Sequence, residues 1–125
     1  MTNDKDAELE AARETFLKIV GARLTSVNFV MDYLIIGFDE RGALTMLVWP
    51  EFHEKGMQTS FGEAAYRNKL CSLIECPVIG TDFSQDETIF IRFDSEIELR
   101  IHLQSNQTGG ERAIFTAPGG YLQVF

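Results

Sequence analysis

One pattern constrains the fold of this chain more than any other, because it occurs twice. Leu34-Ile35-Ile36-Gly37-Phe38-Asp39, a short break and Ala43-Leu44-Thr45-Met46-Leu47-Val48 return 55 residues on (34 to 89, 48 to 103). The second copy reads Ile89-Phe90-Ile91-Arg92-Phe93-Asp94, a break, then Glu98-Leu99-Arg100-Ile101-His102-Leu103. Each copy alternates apolar and other residues with the period of two that a half-buried strand requires. Each is therefore a hairpin reversing after Phe-Asp, and two such hairpins commit the chain to a largely antiparallel β architecture.

The first copy extends backwards through Leu24-Thr25-Ser26-Val27-Asn28-Phe29-Val30-Met31, which gives a three-stranded meander ending near Trp49 at Pro50. Leu70-Cys71-Ser72-Leu73-Ile74 echoes Leu24-Thr25-Ser26-Val27. It is read as the matching first strand of the second copy, bent near Pro77 and followed by the polar turn Ser84-Gln85-Asp86-Glu87. The pseudo-repeat thus spans 24–49 and 70–103. In the second hairpin Ile89, Ile91, Phe93, Leu99, Ile101 and Leu103 share a face, and Arg92, Glu98, Arg100 and His102 take the other, which predicts one wet side.

Outside the repeat, Leu9, Ala12, Phe16 and Ile19 recur at intervals of three and four, predicting a helix from Asp4 to Val20. Asp4, Asp6, Glu8 and Glu10 favour its N-terminal end, and Gly21 supplies the C-cap. Residues 51–60 show neither period and read as a loop. Ser60 and Glu63 then form a capping box for a short helix over 61–67. Residues 104–110 read as a polar connection. Arg112–Thr116 and Tyr121–Phe125 form a last hairpin about Ala117-Pro118-Gly119-Gly120, with Phe125 docked into the fold.

The expected fold is α+β and a single domain over 1–125. An N-terminal helix packs on an antiparallel sheet, or partly open barrel, built from two repeated β-meanders plus a C-terminal hairpin. Ten Phe in 125 residues that are 45% apolar are enough for a core without metal or crosslinks. A chain of this length buries about 65–70% of its unfolded surface.

The formal charge of −8 repels phosphate backbones and anionic lipid heads, so no nucleic-acid or membrane partner is expected. Basic residues are scattered, with no aromatic-interleaved stripe. No stretch approaches the ~18 apolar residues of a membrane span. The start is polar, so the chain is expected to remain in the cytoplasm. Cys71 and Cys76 form no CxxC and read as reduced packing thiols.

Chemistry-bearing patterns are sparse. No G-x-S-x-G occurs, and His53-Glu54 fails H-E-x-x-H because Met57 holds the fifth position. His53 reads as a loop residue and His102 as a surface residue beside Arg100. Asp39 and Asp94 stand at matching places before each reversal, suited to accepting backbone N–H bonds there. The glycine pairs lack the lysine and helix of a phosphate loop. No catalytic residue, metal site or cofactor is therefore expected. What remains is surface: Tyr33, Trp49, Phe52 and Phe61, with Asp32, Glu51 and Glu54 nearby, suit a patch of aromatic anchors ringed by acids for a basic protein.

The doubled Leu-x-Ser-Val…Phe-Asp and Leu-x-Ser-Leu…Phe-Asp pattern, closing on Gly119-Gly120-Tyr121-Leu122-Gln123-Val124-Phe125, resembles small uncharacterised bacterial proteins encoded beside polymorphic-toxin genes and taken to be immunity proteins. The resemblance implies an α+β fold and neutralisation of a toxin by occlusion, and brings no catalytic residues. The residues themselves leave a second reading open, a small apolar ligand held between the repeats. An open edge at the last strand or at strand three would make a homodimer.

Overall fold

A computed structural model describes residues 4–105, 112–120 and 122–125. Helix α1 (Asp4–Leu17) leads into β1 (Leu24–Val30), β2 (Tyr33–Phe38) and β3 (Gly42–Met46). After β4 (Glu51–Glu54), β5 (Met57–Thr59) and the short α2 (Tyr66–Cys71), a second meander follows: β6 (Val78–Phe83), β7 (Thr88–Phe93) and β8 (Ile97–His102). A 3₁₀ turn (Leu103–Ser105) and the hairpin β9 (Ala113–Thr116) and β10 (Leu122–Val124) complete the described chain. The polar connection expected over 104–110 lies partly, and Tyr121 wholly, outside the described residues.

The strands form two open antiparallel sheets of five, β1-β2-β3-β9-β10 and β5-β4-β8-β7-β6. Each is a meander extended by a two-stranded hairpin, and the hairpins are exchanged. β4-β5 follows the first meander in sequence but pairs with β8 of the second, while β9-β10 follows the second and pairs with β3 of the first. The registers match: Phe115 lies opposite Leu44 as Phe52 lies opposite Leu99. β3 is therefore interior, and only the last strand of the two expected edges, β10, is an edge.

The repeat is larger than the sequence pattern indicates. Leu70–Ile74 is no strand: Tyr66, Leu70 and Leu73 are buried at intervals of four and three, and α2 with its following turn places them. They match Ala12, Phe16 and Ile19, each 54 residues earlier and each buried. The helix ends Leu17 and Cys71, and the strand starts Leu24 and Val78, stand at the same shift. The first strand of the second copy is thus β6, and both first strands shift register at the same point, between Leu24 and Ser26 and between Val78 and Gly80. The repeated unit is a helix, a meander and a hairpin.

A pseudo-twofold seam joins the copies. Arg23 and Pro77, which correspond, form an antiparallel bridge with each other. Around it Leu24 N–H donates to Cys76 O at 3.0 Å and Val78 N–H to Ala22 O at 2.9 Å. Further out, Gly21 N–H donates to Val78 O at 2.8 Å and Glu75 N–H to Leu24 O at 2.7 Å. Within each pair, one bond maps onto the other under the shift. Pro77 has no N–H to satisfy. The Arg23 N–H donates to Asp39 Oδ2 at 3.1 Å, so Asp39 ties down the seam rather than capping its own turn.

Inward residues of both sheets and both helices meet in one core. Phe16 stacks on Phe125 with centroids 5.0 Å apart and meets Phe83 and Phe115 at 6.2 and 6.4 Å. The stretch expected to be a loop, 51–60, is a hairpin closed by Lys55 and Gly56 at φ 51° and 82°, as a two-residue type I′ turn requires. The capping box forms in part: Glu63 Oε2 accepts from the Ser60 N–H at 2.5 Å, but α2 starts only at Tyr66.

Gly21 and Glu75 hold matching positions at φ 90° and 79°. A Cβ at Gly21 meets nothing closer than 3.9 Å, so the demand there comes from the backbone rather than from space. Glu75 pays the left-handed penalty that Gly21 avoids. Glu75→Gly should raise unfolding stability by about 0.5–1 kcal/mol, and Gly21→Ala should lower it by about 1 kcal/mol, in denaturant titrations.

Candidate functional site

The outer face of the β5-β4-β8-β7-β6 sheet gathers both histidines of the chain. Alternation on β4 turns Phe52 inward, where it is 1% exposed, and Glu51 and His53 outward. On β8 the same alternation presents Glu98, Arg100 and His102 outward, with Glu51 opposite Arg100 and His53 opposite Glu98. Nε2 of His53 and Nε2 of His102 each lie 2.9 Å from the same oxygen, Glu51 Oε1. Nδ1 of His102 is 3.1 Å from Thr88 Oγ1. Beside this cluster Glu98 bridges Arg92 at 2.8 Å and Arg100 at 2.6 Å, and both guanidinium groups lie over the Phe90 ring.

The order Thr88, His102, Glu51 is that of a nucleophile, its base and an orienting acid. Thr88 is only 2% exposed, so its hydroxyl is closed to a substrate approaching from solvent. Burial by itself would raise the Glu51 pKa, but the hydrogen bonds and charges of His53 and His102 outweigh it and hold the carboxyl below its ordinary value. The buried Tyr66 hydroxyl, which donates to Pro50 O, is shifted upwards by desolvation and by the charge on Glu51. Among the described residues no group of three or more His, Cys, Asp or Glu side chains is disposed to hold a metal ion. Cys71 and Cys76 are free thiols.

The predicted partner-binding residues do not form one patch. Trp49 and Phe61 do meet, stacked at 4.2 Å, with Tyr66 edge-on to Phe61 and Phe61 52% exposed. Asp32 sits in the β1–β2 turn and Tyr33 at the start of β2, on the other sheet. Glu51 is committed to the two histidines, and Glu54 pairs with Lys69 at 3.1 Å. Phe52 is core and can present no surface. His53 is a strand residue facing Glu51, not a solvated loop residue. Reading 51–54 as a strand would have put Glu51 and His53 on one face, but Lys55 in the turn hid the hairpin. Nothing local marks His102 as their neighbour.

A feature the sequence reading missed lies beneath α1. A groove of about 800 Å³ runs between the helix, the β6–β7 loop and β10. Leu9, Ala12, Phe83, Leu103 and Phe125 give it an apolar floor. Ala12 in its lining stands where the other copy has the large, buried Tyr66. Arg112 and Glu87 pair at 3.3 Å at its edge, and Asp6 and Glu8 stand on its helical rim. Of the charged residues lining the groove three are acidic (Asp6, Glu8, Glu87) and two basic (Lys5, Arg112), and elsewhere α1, β6 and its loop add Asp4, Glu10, Glu14, Asp82 and Asp86 against Arg13.

Comparison with known protein families, characterised proteins and solved structures gives no match. No helix among the described residues is long and apolar enough to cross a membrane.

The lowered Glu51 pKa has a consequence for stability. A depressed carboxyl contributes stability above its unfolded value, and that contribution disappears as pH falls through the folded value. Denaturation midpoints of wild type and Glu51→Gln should therefore differ most near neutrality and converge below the ordinary carboxylate range.

Proposed function

We propose that this protein is a non-enzymatic binding protein of the immunity type, which neutralises a basic protein partner by occluding it. The groove under α1, set among elements with an excess of carboxylates, carries this reading. An apolar floor takes an aromatic or aliphatic anchor from the partner, while the surrounding carboxylates attract Lys and Arg beside that anchor. Net charge of −8 adds long-range steering toward a cationic surface. The exposed stack of Trp49 and Phe61 offers a second, smaller anchor point.

The groove also supports a second reading. Its volume of about 800 Å³ lies within the usual range of small-molecule sites, and an apolar ligand fits the same floor. Native mass spectrometry separates the two, because bound ligand would survive as a mass above that of the bare chain.

The primary reading is checked by pull-down and calorimetry against the product of the neighbouring open reading frame. A nanomolar complex that weakens with added salt is expected, and no measurable complex would overturn the proposal. Replacing Asp6 and Glu8 together by Lys should weaken that complex by about tenfold or more. Both side chains are exposed but favour the N-terminal end of α1, so folding stability should fall by only about 1–2 kcal/mol and the protein should remain folded.

A further inference from the structure

The two sheets share one inner face and differ completely on the outer one. Across the middle of the β5-β4-β8-β7-β6 sheet the outward residues are Asp82, Phe90, Arg100 and Glu51. The matching row of the other sheet is Asn28, Ile35, Thr45, Ile114 and Val124. The row beside it, from Ser26 through Gly37, Ala43 and Thr116 to Leu122, holds no charged side chain either. Val124 and Leu122 are 51% and 58% exposed. In a chain of 30 charged residues in 125, two adjacent cross-strand rows spanning five strands without a charge form a distinct surface.

Charge selects the occupant. A basic partner gains nothing from a face without carboxylates and is better served by the acidic side of the molecule. A second copy, itself at −8, is repelled by acidic surfaces and can approach closely through an uncharged one. We infer that the outer face of the β1-β2-β3-β9-β10 sheet is closed by the same face of a second copy, in a face-to-face homodimer.

Such an interface is isologous, so Ile35, Thr45 and Ile114 of one copy lie about a twofold axis against those of its partner. Five strands spaced about 4.8 Å apart, over about 17 Å of strand, give roughly 400 Å² per copy. The closed pair then covers about 800 Å², at the weak end of specific interfaces, so the dimer is reversible and forms only at high protein concentration. Added salt screens the repulsion between the two negative chains and leaves the apolar contact, so it strengthens this dimer. It weakens the complex with a basic partner, and the two surfaces are thereby distinguished.

Sedimentation velocity from micromolar to millimolar concentration, at low and high salt, tests the inference. A reversible monomer–dimer equilibrium that tightens with salt is expected. Thr45→Arg and Ile114→Glu, made singly, place in this sheet the residue types that Arg100 and Glu51 already supply at matching sites of the other. Both are therefore compatible with a folded sheet, and each should raise the dissociation constant by at least about tenfold. Phe90→Glu, the control at the site matching Ile35, should leave it unchanged. A wild type that stays monomeric throughout, or folded Thr45→Arg and Ile114→Glu variants that dimerise as wild type does, would overturn the inference. Should either variant fail to fold by circular dichroism, the salt response of wild type decides: a dimer that weakens with salt also overturns it.

Discussion

The structure depends on the short antiparallel seam between residues 21–24 and 75–78. Its four backbone hydrogen bonds, from 2.7 to 3.0 Å, fall into pairs that interchange under the repeat. Because corresponding residues Arg23 and Pro77 face each other, the seam can only lie on the pseudo-axis. It sets the start of β1 beside the start of β6, so the edge strands of the two sheets meet at one corner, and part of each edge is satisfied where it would otherwise be open. A proline is tolerated there because its missing N–H falls at a position that makes no ladder bond.

From that corner the exchange of hairpins locks the two copies together. Neither meander receives its own hairpin, so each five-stranded sheet is completed by the other half of the chain. The helices follow the same rule, α1 packing on β6 and α2 touching β1. A half separated from the other would lose the strands that cover β3 or β8 as well as its share of the core. The duplication has therefore produced one folding unit with a single core, to which Phe16, Phe38, Phe52, Phe93 and Phe115 all contribute.

Inside, the copies are held alike by packing, because a buried position tolerates little change in volume. Outside, they have diverged into a charge-laced face organised by Glu51 and Glu98, a face without charge, and a groove under α1 lined in part by Ala12, where the other copy has Tyr66. One architecture thus offers three surfaces of different chemistry.

The sequence alone determined what is local. Period-two alternation placed β2, β3, β7 and β8 within a residue or two of their observed limits, except that β3 stops at Met46 rather than Trp49. Spacing of three and four found α1 through Leu9, Ala12 and Phe16. The wet face of Arg92, Glu98, Arg100 and His102 was legible for the same reason. The second helix was expected too early, over 61–67 rather than from Tyr66 to Cys71, because the Ser60–Glu63 capping box pointed there and a Leu-x-Ser echo offered a false strand over 70–74. Tertiary structure alone decided the exchanged hairpins, the meeting of His53 and His102 on Glu51, and the groove under α1. Each is a contact between residues far apart in the chain, and such contacts are selected by the packing of the whole core, which no local pattern records.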